Sequence, residues 1–178
     1  MHEPRRPCGQ TRYDFVAFVD ARSAALLRTA RLLSAGDRHA AEDLVQTALE
    51  RAYVAWPRIK RREAQESYVR SIMTRAAIDR TRRRQRRGEV LTGEVPETVT
   101  VPAGPEDRDA VWGLLAALSP RQRAVLVLRY YEDQSEVQIA ETLGCSTGTV
   151  KAHASRGVAL MRELCADPAT FHATGLNR

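Results

Sequence analysis

Six arginines fall within eight residues at Arg80-Thr81-Arg82-Arg83-Arg84-Gln85-Arg86-Arg87. Guanidinium groups at this density bind phosphates, because each contact releases counterions from a polyanion. The aromatic Tyr68 lies upstream in the same helical stretch. A ring followed by arginines suits an unpaired nucleic-acid strand, whose bases stack while its backbone is held. The plainer alternatives are a solvated basic tail or a contact to an acidic protein. A second constellation spans residues 135–156, SEVQIAETLGCSTGTVKAHASR. Ser135 and Gln138 form a capping box that opens a helix. Val137, Ile139, Ala140 and Leu143 supply its apolar side, and Gly144 supplies a left-handed turn. Ser146 caps the next helix, which turns Val150 inward and carries Thr149, Lys151, His153 and Arg156 on polar positions. This is a helix-turn-helix pattern, and its second helix is expected to meet DNA. A helical hairpin in an unrelated core is the bland alternative.

A third set is acidic. Asp43, Gln46 and Glu50 sit at i, i+3 and i+7 and line one side of a helix. They form either a solvated face or a docking surface for a basic partner, and periodicity does not separate the two. No catalytic set emerges. His2, His39, His153 and His172 lie in different segments, without a nucleophile's context. There is no Gly-rich phosphate loop, and Glu42 beside Asp43 reads as helix surface. Cys8, Cys145 and Cys165 are too scattered for a disulfide framework or a zinc site, so reduced thiols, no metal and no cofactor are expected. No apolar run reaches membrane length and no signal peptide is visible. A cytoplasmic protein with no membrane association and no small-molecule substrate is expected.

The elements that must position these residues are all helical. Phe15, Phe18, Val19, Leu26, Leu27, Ala30 and Leu33 stripe residues 13–33, and Ser34-Ala35-Gly36-Asp37 breaks the run. Leu44, Val45, Ala48, Leu49, Ala52, Tyr53 and Trp56 stripe residues 39–56, and Pro57 ends them. A third helix runs from about Ala64 to Arg84 over Val69, Ile72, Met73 and Ala76. Further helices follow at about 107–118, from a Ser119-Pro120-Arg121-Gln122 capping box to about Tyr131, and through the helix-turn-helix. Charge is segmented. Residues 11–87 hold 18 Arg/Lys against 9 Asp/Glu, residues 88–110 hold 1 against 6, and residues 111–165 hold 6 against 5. The expectation is all-α, with two small helical domains joined by a flexible linker. The boundaries are a disordered tail at 1–11, a first domain at 12–87, an acidic linker at 88–106, a helix-turn-helix domain at 107–165 and a C-terminal tail at 166–178. Val99-Thr100-Val101 has strand-like composition but no visible partner strand.

Four separated motifs carry a family resemblance. They are AEDLVQTAL (Ala41–Leu49), YVRSIMTRAAIDRTRR (Tyr68–Arg83), SPRQRAVLVLR (Ser119–Arg129) and GTVK (Gly148–Lys151). In this order and spacing they resemble an extracytoplasmic-function (ECF) sigma factor. The resemblance implies a promoter-recognising subunit of bacterial RNA polymerase. The implied partners are core polymerase, through its β′ clamp helices and β flap, promoter DNA, and an anti-sigma factor that the sequence does not name. Asp43 and Gln46, with Glu50 on the same face, would dock on the clamp helices. Tyr68, Arg75, Asp79, Arg82 and Arg83 would open and read the minus-ten element. Tyr68 stands where the family usually has Trp, and Arg75 where Asn is frequent, so the preferred minus-ten bases are open. Lys151, Ser155 and Arg156 match contacting positions for the minus-thirty-five element, Thr149 a phosphate-contacting one, and Ser146 opens that helix. His153 replaces a frequent Arg, which implies a weaker or pH-dependent phosphate contact. The acidic linker would thread toward the RNA exit channel.

Two rival readings remain. A conventional helix-turn-helix regulator would act without being a polymerase subunit, and it would be expected to dimerise on paired half-sites. A nucleic-acid-processing enzyme would need a metal or acid/base pair that the chain does not display.

Overall fold

The computed structural model describes residues 8–59, 62–86 and 105–166. Among the described residues there are seven α-helices: α1 Cys8–Leu33, α2 Arg38–Ala55, α3 Arg62–Arg86, α4 Pro105–Ala117, α5 Pro120–Leu126, α6 Glu136–Leu143 and α7 Thr147–Ala166. A 3₁₀ turn at Trp56–Arg58 follows α2, and a π-helical turn at Val127–Tyr131 follows α5. Among the described residues there is no strand.

Local chemistry sets most boundaries. Gly36 takes φ +91° in the break after α1, and Asp37 then caps α2 by accepting from the Ala40 amide at 2.8 Å. The Ser119/Gln122 and Ser135/Gln138 capping boxes both form. Gly144 closes α6 at φ +63°, the left-handed conformation that a Cβ disfavours. Two boundaries differ from the periodicity. Helix α1 starts at Cys8, inside the stretch expected as tail, because one more polar turn extends a helix without needing a buried face. Helix α4 starts at Pro105, inside the expected linker. A proline at a first helical position lacks only an amide that would be unpaired anyway. Val99–Val101, most of the acidic stretch, and the outer parts of both tails lie outside the described residues.

The first three helices enclose Leu26, Ala30, Leu44, Ala48, Ala52, Val69 and Met73. Trp56 seals one end, with Phe15 edge-on at 4.9 Å and Phe18 tilted at 4.9 Å. The last four helices close over Leu115, Leu118, Val125, Leu128, Ile139, Val150 and Ala154. Val137 is a correction: it is 58% exposed. A helix as short as α6 meets its neighbours along a narrow stripe, which Ile139 and Ala140 fill.

The two halves are packed on each other. Ala124 and Val127 from the second half sit in the first core, and Leu32 and Ala35 from the first pack against the second. Arg123 is buried at the seam. Its Nε donates to the Leu115 carbonyl at 2.7 Å, and its Nη atoms donate to Ala116, Leu118 and Leu33, each at 3.2 Å. Burial pushes its guanidinium down to about 10, so it remains protonated at neutral pH. The π turn brings Glu132 to the same seam. There its carboxylate meets Arg70 of α3 at 2.8 Å and accepts from the Thr29 hydroxyl of α1.

Candidate nucleic-acid and polymerase interface

Helix α2 presents Asp43, Gln46 and Glu50 to solvent. Asp43 is 60% exposed and pairs with Arg80 of α3 at 2.7 Å. Gln46 donates to Glu50 at 3.0 Å. Beside them runs a groove of about 510 Å³ between α1 and α2, walled by Phe15, Leu27, Val45, Leu49 and Tyr53 and rimmed by Glu42, Gln46 and Glu50. The groove was not legible in the sequence. Its one signal was an α2 apolar stripe wider than a single core contact needs, and Tyr53 in that stripe is 48% exposed.

Helix α3 carries the aromatic and basic set along one rod. Tyr68 is 39% exposed, and Arg82 and Arg83 are exposed. Arg75 faces the second half of the chain. Its Nε donates to the Thr142 carbonyl at 2.7 Å, and its Nη2 to the Glu141 carbonyl at 3.3 Å. Asp79 lies one turn further along the same face. Arg75 and Asp79 line a cleft of about 180 Å³ together with Ile78, Arg121, Leu143, Cys145 and His153.

Helix α7 is the second helix of the helix-turn-helix. Ser146 caps it, accepting from the Thr149 amide at 3.2 Å and contacting the Thr149 hydroxyl at 2.9 Å. Ser146 therefore serves the backbone of the motif. Ser155 and Arg156 are exposed. Lys151 reaches Glu136 of α6 at 3.5 Å, and Glu136 also holds Arg129 at 3.0 Å. Glu136 was missed from the sequence because its partners come from two other elements.

This arrangement matches two known family modules. Sigma-70 region 2 matches residues 18–87, and sigma-70 region 4 matches residues 108–161. The RNA polymerase sigma-E factor of Streptomyces coelicolor is 38% identical over 152 residues, covering 84% of this chain and 85% of that one. The chain belongs to the extracytoplasmic-function branch of the sigma-70 family. The ECF sigma factor ShbA of Streptomyces griseus is 31% identical and covers 92% of both chains. Among solved structures, the sigma factor RpoE of Bartonella quintana, in complex with the anti-sigma factor NepR, aligns with a TM-score of 0.66 at 25% identity. That alignment covers 86% of this chain and 97% of the other. This sigma factor binds core RNA polymerase and promoter DNA, and it directs promoter-specific initiation. Among the described residues, no His/Cys/Asp/Glu group has metal-holding geometry, and no helix is long and apolar enough to cross a membrane.

His153 has a testable titration. Burial in the cleft, then the positive charges of Arg156 and Arg121, lower its pKa below the ordinary 6.5. Arg75 and Asp79 face it across the cleft. The imidazole is therefore neutral at pH 7. Below pH 6.5 the unfolded chain binds a proton that the folded chain resists, so stability is lost as pH falls toward the folded value. The urea midpoint of the wild type is expected to drop further than that of His153→Gln between about pH 6.5 and about pH 5. Parallel curves for the two proteins would remove His153 as the titrating group.

Proposed function

We propose that this sigma factor divides its work among three surfaces: the α2 face docks on the β′ clamp helices, α3 opens and reads the minus-ten strand, and α7 reads the minus-thirty-five duplex. The carrying observation is the acid-rimmed apolar groove on α2, separate from both basic faces. A stand-alone regulator has no use for such a groove, whereas a subunit that docks on a helical, basic partner needs one. Gln46 and Glu50 on its rim, with Asp43 on the adjoining surface of α2, are the polar contacts for that partner. Tyr68, Arg75, Asp79, Arg82 and Arg83 serve the opened strand. Thr149, Lys151, His153, Ser155 and Arg156 face the upstream duplex, with Ser146 holding the start of their helix. The first working unit is built on α1 to α3 and the second on α4 to α7, and the acidic stretch between them joins the two. The protein acts in the cytoplasm as a non-catalytic subunit. An anti-sigma partner is supported by the RpoE structure, which is a complex with NepR.

The docking assignment is tested by Asp43→Ala. The exposed pair with Arg80 contributes little in water, so stability should stay within about 0.5 kcal/mol of the wild type. Affinity for core polymerase should fall by about tenfold, or ~1.4 kcal/mol. An unchanged affinity in a titration with labelled polymerase would take Asp43 out of the interface.

A further inference from the structure

Glu136 is an acid placed between two cations of the helix-turn-helix half. It opens α6. Its Oε2 lies 3.5 Å from the Lys151 ammonium of α7, and its Oε1 accepts from Arg129 at 3.0 Å. One carboxylate therefore joins three elements: the π-helical turn and both helices of the helix-turn-helix. The Arg129 end is the firmer. Its contact is the shorter, and its guanidinium lies 5.7 Å from the centroid of the Tyr130 ring, within cation–π reach. The Glu136 side chain is 29% exposed against 67% for Lys151, so the acid is fixed from behind and the lysine reaches outward. A lysine stem is flexible and its ammonium has no preferred plane, so its direction is set by what holds it.

Local chemistry accounts for only part of this. An acid in the first turn of a helix is steadied by the helix dipole, and any carboxylate near that end would serve. The dipole does not require a side chain that spans cations from two other elements. Phosphate binding does not require it either. A negative charge on a surface that meets a polyanion offsets one of the cations whose contacts release counterions, so general affinity falls. Selectivity gains from the same charge. Attraction to unrelated sequences is weakened, and a held ammonium reaches one place on the duplex instead of many.

We propose that Glu136 is a positioning residue for promoter selection: anchored on Arg129, its carboxylate aims the Lys151 ammonium at the minus-thirty-five duplex and weakens the attraction of this surface for other sequences. The proposal rests on the assignment of α7 to that duplex.

Transcription by polymerase assembled with the full-length Glu136→Gln variant tests it. The templates are a promoter recovered by run-off transcription of genomic fragments, with its minus-thirty-five element intact or scrambled. The ratio of activity on the intact template to that on the scrambled one should fall at least about threefold. The scrambled template should gain activity, and its salt dependence should steepen, because the freed ammonium meets phosphate. A motif that had merely lost its fold would weaken both templates together. Glu136→Asp keeps the first-turn charge on a stem one methylene shorter, too short to span both cations, and it should lose the preference as well. Lys151→Ala should lower the ratio, and adding Glu136→Gln to it should lower the ratio no further. A wild-type ratio in Glu136→Gln or in Glu136→Asp overturns the proposal, and the assignment of α7 stands if Lys151→Ala still lowers the ratio. A further fall in the double variant also overturns it, since Glu136 would then act apart from Lys151. A wild-type ratio in Lys151→Ala removes Lys151 from the reading surface, and the proposal falls with it.

Discussion

Arg123→Met is expected to lower the stability of this sigma factor by about 3–5 kcal/mol, the largest effect of any single change considered. Methionine fills much of the same space but donates nothing. Four carbonyls, of Leu33, Leu115, Ala116 and Leu118, lose the guanidinium's donation at once, and of these Leu115 keeps the Leu118 amide. A hydrogen bond to a charged group contributes about 1.5–3 kcal/mol, and a buried acceptor left unpaired costs about 1–3 kcal/mol. The losses overlap, since the carbonyls share one guanidinium and some gain water, so the sum is capped well below four times either figure. Against a total stability of about 5–15 kcal/mol, the melting temperature should drop by roughly 6–20 °C. Arg123→Lys should fall between the two, because an ammonium keeps the charge but not the planar fork. A melting temperature for Arg123→Met within about 2 °C of the wild type would show that the guanidinium's hydrogen bonds are balanced by its desolvation.

Tyr68→Ala is expected to weaken promoter opening by about 1–3 kcal/mol, or about 5–150-fold, through loss of a stacking platform for one unpaired base. Core-polymerase affinity should not change, because Tyr68 is on α3 and the proposed docking face is on α2. Templates pre-melted across the minus-ten element should recover most of the activity, since they no longer require the ring to capture a base from the duplex. Arg75→Asn probes the same strand differently. If the guanidinium reads a base edge, the preferred minus-ten sequence should change. If it clamps a phosphate, opening should fall uniformly and the salt dependence should become shallower. The same substitution also removes the two hydrogen bonds to α6, so Arg75→Asn should be read within the assembled polymerase. Full activity of both variants on closed duplex templates, at every minus-ten sequence, would show that α3 does not contact the opened strand.

Much of the candidate site was legible because it is built from short-range chemistry. The capping boxes at Ser119/Gln122 and Ser135/Gln138 act over three residues, and Gly144 acts on its own backbone. A reader of the sequence therefore sees the helices start and stop. Apolar recurrence at 3.6 residues oriented α1, α2 and α3 for the same reason. It left Asp43, Gln46 and Glu50 on an outward face without deciding what they meet. It also misjudged Val137, because periodicity registers which side of a helix is apolar and not how wide a surface the neighbours cover.

By itself, then, the sequence determined a chain of helices in two groups, a helix-turn-helix, a basic α3 with Tyr68 and Arg75 on it, and the order of motifs that marks an ECF sigma factor. Only the tertiary structure decided that Arg123 is buried, that Glu132 meets Arg70 and Thr29, that an apolar groove lies beside the exposed acids of α2, and that Arg75 is held by α6. Each of these depends on partners distant in the chain: Thr29 and Glu132 are 103 residues apart, and Arg75 and Thr142 are 67 apart. An arginine on a helix carries no local mark of whether it will face water, a phosphate or the carbonyls of another helix. Its long side chain reaches whichever acceptor the packing brings near, and the packing is set by apolar faces that do not include it.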